Sequence, residues 1–121
     1  MLRLALATMT VAAAATVLYL VPAWGSSPVL VGEVGPGFTI EVKNAAGADL
    51  KTIKAGTYRI KVEDKASIHD FHLVGPGLNK TTSVPFVGDK TWTITLKPGK
   101  YTYKCDPHAL AGMKGTLRVT A

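Results

Sequence analysis

Apolar and polar residues alternate in a series of short segments that begins near Val29 and continues to the end of the chain. Alternation with a period of two places successive side chains on opposite faces, which is typical of a half-buried β-strand. Turn signals with glycine or proline separate the segments, for example at residues 55–56 and 97–100. No part of this region has a convincing helical period. The clearest alternation occurs in residues 38–42, 58–62, 92–96, 101–105 and 116–119.

Several short strands with close turn signals predict an all-β fold. We therefore expect an antiparallel β-sandwich or barrel. A chain of 121 residues has room for one such domain, with a processing segment in addition. We place the domain at residues 26–121.

Residues 1–25 differ from the rest of the chain in composition. Arg3 supplies a positive charge near the start, and residues 4–21 are uncharged and apolar. Small residues at 21–23 and at 23–25 suit cleavage by a signal peptidase. The apolar run is also just long enough to cross a bilayer, so an uncleaved membrane anchor is a second interpretation. Both interpretations place the domain outside the cytoplasm, in the periplasm or the extracellular space.

The positive charge of the chain is spread thinly. The formal charge is +6, and removal of the segment that contains Arg3 would leave +5. Because no basic run with interleaved aromatic residues is present, the sequence argues against nucleic-acid binding. The excess of positive charge is compatible with binding to an acidic partner protein or to an anionic membrane surface. Alternatively, the lysines simply form the solvated faces of strands.

The chain has a single cysteine, Cys105, which excludes an internal disulfide. The alternation places Cys105 on the same face as Tyr101 and Tyr103, so the thiol should point toward the core at the end of its strand. A shielded thiol of this kind is either an inert buried cysteine or a protected metal ligand. The alternation by itself does not distinguish the two.

The residues that follow Cys105 favour a metal. His108 and Met113 complete the pattern Cys-x2-His-x4-Met in a loop with proline and glycine. Thiolate, imidazole and thioether are ligands that suit a copper ion cycling between Cu(I) and Cu(II). Met113 alone would equally suit a core position. One more nitrogen donor has to come from elsewhere in the chain.

Two histidines are candidates for that donor. His69 shares a face with Phe71 and Leu73, so it should project into the sandwich, whereas His72 should face solvent and be functionally neutral. A histidine on an apolar face is more often a core residue than a ligand. The Cys-His-Met loop at the same end of the sandwich reverses that preference for His69. His72 as a substitute ligand, or as part of a weaker second metal site, is the minor alternative.

The constellation of these residues resembles the ligand loop of the cupredoxins, the small blue copper proteins. The spacing from Cys105 to Met113 is that of plastocyanin and pseudoazurin and is longer than that of amicyanin. The resemblance covers residues 29–121 and implies a Greek-key β-sandwich with one mononuclear type 1 copper ion. It implies His69, Cys105 and His108 as the trigonal ligands and Met113 as a long axial ligand.

One position departs from the family pattern. The family usually has asparagine after its first histidine, where the side chain links the two ligand-bearing loops by hydrogen bonds. Here the residue is Asp70, and a second aspartate, Asp106, follows the cysteine. If the carboxyl groups approach each other, we expect either that one holds a proton or that both turn to solvent.

The resemblance implies one-electron transfer between redox partner proteins and no enzymatic activity. Electrons would pass through His108, and partners with an acidic docking surface would bind a flat apolar rim. That rim would consist of Pro107, the apolar residues 109–111 and the turn at residues 75–77. We expect a monomer that contacts a membrane only through a retained N-terminal anchor.

Two other functions use the same sequence features. A copper carrier or buffer would use the same four ligands but should have an exposed, exchangeable site, which a buried Cys105 disfavours. An adhesion domain that no longer binds metal is disfavoured by the intact ligand set. Copper nitrite reductases need a second domain and a second copper site, and this chain has no room for that domain.

Overall fold

The computed structural model describes residues 27–121. The predicted signal peptide or membrane anchor at residues 1–25 lies outside the described residues. Residues 27–121 form nine strands and one 3₁₀ helix, and no helix in this part is long and apolar enough to cross a membrane. The strands are β1 (Val29–Val34), β2 (Ile40–Asn44), β3 (Thr52–Lys54), β4 (Gly56–Asp64), β5 (His72–Gly75), β6 (Leu78–Thr81), β7 (Gly88–Leu96), β8 (Gly99–Lys104) and β9 (Lys114–Thr120), and the 3₁₀ helix is Asp106–Ala111.

The strands form two sheets that pack face to face. The four-stranded sheet has the order β2-β1-β4-β7, and the five-stranded sheet has the order β3-β9-β8-β5-β6. Their inner faces meet in one core whose largest fully buried side chains include Tyr101, Phe71, Ile60 and Leu73. The predicted all-β sandwich is confirmed.

Both sheets are mixed, so the prediction of antiparallel pairing is wrong for two of the strand pairs. Strand β1 pairs with β4 in parallel, and β3 pairs with β9 in parallel, whereas the other pairs are antiparallel. After β2 the chain crosses to the other sheet, forms β3 there, and returns as β4 alongside β1. Parallel neighbours require such crossovers, and the local alternation of residues carries no information about them.

The predicted segments 58–62, 92–96 and 116–119 lie within strands, and the segment 101–105 does so as far as Lys104. The segment 38–42 is displaced. Strand β2 begins at Ile40, two residues later than the predicted start at Phe38. The chain turns at residues 35–39, where the Gly35 N–H donates to the Thr39 carbonyl at 2.9 Å. Phe38 lies on this turn with 65% of its surface exposed. Phe38 therefore points away from the core, whereas the alternation of residues 38–42 places it on the side that faces the core.

The strand ends define two ends of the sandwich. The upper end is where β1, β4 and β8 finish, at Val34, Asp64 and Lys104. The loops that contain residues 65–71 and 105–113 emerge there. At the lower end, β1 and β8 begin and the turns at residues 76–77 and 97–98 connect strands.

At the lower end, the backbone of Gly75 packs directly against the ring of Tyr101. A Cβ atom on Gly75 would lie 2.3 Å from Cδ1 of Tyr101, so only glycine fits under this ring. The Tyr101 hydroxyl donates to the Pro76 carbonyl at 2.8 Å and accepts from the Lys97 N–H at 3.0 Å. The ring is thus held in place from both sides.

Candidate metal centre

The loop between β8 and β9 folds through its own backbone. The His108 N–H donates to the Cys105 carbonyl at 3.1 Å, and the Met113 N–H donates to the His108 carbonyl at 3.2 Å. The Cys105 N–H donates to the Met113 carbonyl at 3.0 Å. Gly112 ends the 3₁₀ helix in a left-handed conformation with φ of 99°, which glycine adopts without steric strain. These bonds bring Cys105, His108 and Met113 together at the upper end.

His69 comes from the second loop at that end. It follows a turn in which the His69 N–H donates to the Ala66 carbonyl at 3.3 Å. The Ala66 N–H in turn donates to Oδ1 of Asp64 at 3.2 Å. The side chain of His69 is fully buried. The prediction that His69 projects into the sandwich is therefore confirmed, although His69 lies in the loop before β5.

Three donor atoms converge between these loops. Nδ1 of His69 lies 3.1 Å from Nδ1 of His108, and Sγ of Cys105 lies 3.6 Å and 3.4 Å from these two nitrogens. An ion bonded in a plane to nitrogens at about 2.0 Å and to sulfur at about 2.3 Å would separate them by about 3.5–3.7 Å. The triangle observed is within a few tenths of an ångström of that size. The three residues therefore fit a single metal ion.

The chemistry of the donors favours a transition metal that binds thiolate, such as copper. Soft thiolate together with imidazole suits a copper ion better than oxygen-preferring cations such as Mg²⁺ or Ca²⁺. Burial raises the pKa of the Cys105 thiol, despite hydrogen bonds from the backbone of Asp70 and His108 that lower it. A cation at the centre of the triangle opposes that effect and stabilises the thiolate.

Packing, not a second hydrogen bond, orients the His69 ring. Its Nε2 atom is buried without a hydrogen-bond partner among the described residues. Gly35 lies directly against the ring, since a Cβ atom there would come within 2.9 Å of Cδ2 of His69. Metal-bound histidines usually donate their other N–H to an acceptor. Here the backbone of Gly35 and the ring of Phe38 hold the imidazole instead.

Phe38 is a site residue that the sequence did not reveal. Its ring makes edge contacts with both histidine rings, with centroids 5.5 Å from His69 and 4.9 Å from His108. The two imidazoles are themselves 5.0 Å apart and 75° out of plane. Phe38 thus covers the opening between them from the solvent side. Its place in the alternating pattern pointed instead to the core.

Asp70 joins the two ligand loops. Its Oδ1 accepts a hydrogen bond from the Asp106 N–H at 2.6 Å, and its Oδ2 accepts from the Thr81 hydroxyl at 3.2 Å. Burial and the neighbouring Asp106 carboxyl raise the pKa of Asp70. Asp70 is only 4% exposed, so the second expected outcome, in which both carboxyl groups turn to solvent, does not apply. Asp70 thus makes the loop-to-loop contact that the resemblance assigns to asparagine.

His72 is more constrained than predicted. It faces outward at the start of β5, but its Nδ1 lies 2.9 Å from Oδ1 of Asp106 and its Nε2 lies 2.6 Å from Oδ1 of Asn79. Burial alone would lower the pKa of His72, yet its bonds to Asp106 and Asn79 outweigh this and raise it. His72 is not among the three converging donors. Through its contact with Asp106, His72 holds the residue after Cys105 in place from the outer side of the loop.

An apolar rim surrounds the opening. Four of the five large hydrophobic residues that are exposed in residues 27–121 belong to loops at the upper end, namely Phe38, Ile68, Val87 and Leu110. The predicted contribution of residues 75–77 to this rim is wrong. That turn follows β5 at the lower end, where the Pro76 carbonyl accepts from Tyr101. The direction of β5 could not be read from the alternation.

The chain is similar in sequence and in fold to known copper proteins. A family model described as copper binding proteins of the plastocyanin/azurin family matches residues 33–120. Reduced rusticyanin is similar in structure, with a TM-score of 0.57 and 23% identity over 79% of this chain and 81% of its own. A methionine-to-glutamine mutant of rusticyanin gives 0.59 and 23%, covering 79% of each chain. Rusticyanin from Thiobacillus ferrooxidans gives 0.54 and 24%, also over 79% of each chain. At these identities the structures support the fold alone.

A Greek-key β-sandwich with two imidazoles and one thiolate converging at its upper end defines a mononuclear copper-binding protein. The family match spans nearly the whole described domain. The chain therefore belongs to the plastocyanin/azurin family of copper-binding proteins, the cupredoxins. The predicted family, fold class and copper cofactor are confirmed.

Proposed function

We propose that this protein is an exported type 1 copper protein that carries single electrons between redox partners. The observation that carries the proposal is the triangle of donor atoms from His69, Cys105 and His108, with separations of 3.1–3.6 Å. Bound copper would supply the Cu(I)/Cu(II) couple. Met113, which is 2% exposed and next to Cys105 through a backbone hydrogen bond, is the proposed fourth ligand.

The protein contributes rigidity and exclusion of water. His69 and Cys105 are fully buried, and each is held by backbone hydrogen bonds in its loop. Donors that cannot rearrange suit an ion whose charge changes by one, because little reorganisation accompanies the transfer. This closed arrangement also supports an electron carrier over an enzyme, since a substrate would need an open coordination position.

His108 provides the route between the centre and the surface. It is half-buried, whereas Leu110, two residues further along the 3₁₀ helix, is fully exposed. A partner that docks on the apolar rim would thus approach the His108 ring. Small, transient interfaces of this kind serve electron-transfer encounters.

The proposed redox partner has acidic groups beside its docking surface. Lys104 and Lys114 face each other across β8 and β9 at the base of the 3₁₀ helix. Lys104 already lies 3.7 Å from a carboxylate oxygen of Asp106, so carboxylates on the partner would chiefly neutralise Lys114 during docking. The association rate should then fall as ionic strength rises.

The test is titration of the purified protein with Cu(II), followed by visible and paramagnetic resonance spectroscopy. We expect an intense thiolate-to-copper band and a narrow copper hyperfine splitting. Cys105→Ser and His69→Ala should abolish both signals, and His72→Ala is the matched control that should retain them. A blue Cys105→Ser protein would refute the ligand assignment.

A second measurement separates electron transfer from copper delivery. The copper-loaded protein is reduced and reoxidised repeatedly in the presence of a Cu(I) chelator. An electron carrier should keep its copper through the cycles. Transfer of the ion to the chelator on each reduction would favour the copper carrier instead.

A further inference from the structure

The two ends of the sandwich differ in charge. Five exposed cationic side chains and no acidic side chain lie in residues 28–30, 53–60, 75–78, 93–101 and 117–121, which are strand ends and turns of the lower end. The turn after β2, which lies at the same end because Asn44 pairs with Leu30, adds one exposed acidic residue, Asp49. These cationic residues are Lys54, Arg59, Lys97, Lys100 and Arg118. They come from β3, β4, β8, β9 and the turn after β7, so they cover the lower end except at the β2 edge.

Apart from Asp49, the acidic residues lie elsewhere. Four of them form a continuous row across the four-stranded sheet near the upper end, because Glu33 pairs with Glu41 and Glu63, and Glu63 pairs with Asp89. Lysines neutralise the row, with Lys43 and Lys65 within 3.7 Å of Glu33, and Lys61 within 3.5 Å of Asp89.

The cations of the lower end have no such compensation. Within residues 27–121, none of the five lies within 4.0 Å of a carboxylate. Lys100 and Arg118 are directly opposite each other in the β8–β9 ladder. Like charges in this position repel and destabilise a sheet. A docked anionic surface would relieve that repulsion.

The chain also enters the domain at the lower end. Val29 begins β1 next to Arg59, whose N–H donates to the Pro28 carbonyl at 3.0 Å. In the sequence, residues 4–21 form an uncharged apolar run. Only the seven residues 22–28 separate this apolar run from the start of β1, and seven residues span at most about 25 Å. A bilayer that holds the apolar run would therefore lie close to the lower end.

We propose that the lower end docks on an anionic membrane surface, into which residues 4–21 of the same chain insert. Phosphate headgroups would contact the five cations, and the copper centre would face away from the bilayer. Strand β4 has nine residues, so the centre would stand about 30 Å from the headgroups. The proposal concerns orientation and goes beyond the proposed electron transfer.

An anionic bilayer suits this surface better than an acidic protein does. The five cations lie at the end of the sandwich where the chain enters, and the apolar run brings the membrane to that end. An acidic protein would need neither feature. Each basic residue near an anionic bilayer strengthens binding about fivefold, and the attraction decays within about 8 Å at physiological ionic strength.

The full chain, reconstituted in phosphatidylcholine vesicles with and without phosphatidylglycerol, tests the proposal. The rate at which each lysine is acetylated is followed by mass spectrometry. We expect Lys54, Lys97 and Lys100 to react several-fold more slowly when phosphatidylglycerol is present, and high salt should remove the difference. Lys80, Lys90 and Lys114 at the upper end are internal controls whose rates should not change.

Two charge variants with equal changes in net charge complete the test. The variant Arg59→Glu/Arg118→Glu keeps Lys54, Lys97 and Lys100, and these lysines should lose most of their protection from acetylation. The variant Lys80→Glu/Lys90→Glu should retain the protection. Equal rates in both lipids, or protection of Lys114 in place of Lys97, would overturn the proposal. Protection by soluble polyglutamate but not by phosphatidylglycerol would also overturn it and would indicate an acidic protein partner.

Discussion

Asp70 accepts a hydrogen bond from the backbone of Asp106, and this 2.6 Å contact spans the two loops that carry the metal ligands. Because the acceptor is Oδ1, an atom that asparagine also provides, Asp70→Asn should preserve the contact and leave the copper spectrum unchanged. Asp70→Ala should leave the Asp106 N–H unpaired and lower the free energy of unfolding by about 1–3 kcal/mol. Denaturant unfolding of the metal-free variants measures this. Equal stability of Asp70→Ala and the wild type would show that the link is not a structural one.

Phe38→Ala should expose the copper centre to solvent. The substitution removes edge contacts with the rings of His69 and His108, and each aromatic contact of this kind contributes about 0.5–1.5 kcal/mol. We expect the copper colour to persist and a chelator to remove copper several-fold faster. Val87→Ala is the control, because Val87 is 55% exposed at the same end and is not one of the aromatic contacts. Identical chelation rates for both variants would contradict the shielding role.

Asp64 should give the metal-free protein a component of stability that falls as pH rises. Burial raises the pKa of Asp64, even though bonds from the Ala66 N–H and the Thr82 hydroxyl lower it. The folded state therefore holds a proton that the unfolded chain loses just above its ordinary carboxyl pKa near 3.9. This contribution is fully present below that pH and is lost as pH rises through the folded-state pKa.

Asp64→Asn tests this dependence, since an asparagine keeps the oxygen acceptor but does not titrate. Relative to the wild type, its free energy of unfolding should rise as pH increases from acidic to neutral values. Denaturant titrations at a series of pH values measure the difference. A difference that stays constant with pH would mean that the carboxyl does not titrate differently on folding.

Gly75→Ala should destabilise the sandwich without affecting the copper spectrum. The new Cβ atom would lie 2.3 Å from the Tyr101 ring, which two hydrogen bonds prevent from moving away. Overpacking of this kind costs about 1–3 kcal/mol. Gly37→Ala is the control, because a Cβ atom there meets nothing within 4 Å. Thermal unfolding distinguishes the two, and equal melting temperatures would contradict the prediction.

The sequence predicted those features that depend on local alternation. The burial of Tyr101, Tyr103 and Cys105 followed from their period of two, and so did the choice of His69 over His72. The loop that carries Cys105 and His108 was recognisable because these two residues and Met113 lie within nine residues. In each case neighbouring positions in one segment contain the whole signal.

Features that depend on contacts between distant segments could not be predicted in this way. The parallel pairing of β1 with β4 results from a crossover between sheets. Phe38 leaves the core because the turn at residues 35–39 ends before β2. The Asp70 contact with Asp106 joins residues 36 positions apart. The alternation indicates which side of a strand is buried, but not where that strand lies relative to the others.

The pairing of Lys104 with Lys114 bounds the segment that contains Cys105, His108 and Met113. The hydrogen bonds that shape this segment are largely internal to it, and the ladder of β8 and β9 resumes directly on either side. We therefore expect that this segment can be replaced by another loop without disturbing strands β8 and β9. We expect loops of other lengths grafted between these two lysines to change the spacing of the donor residues while the strand register stays the same.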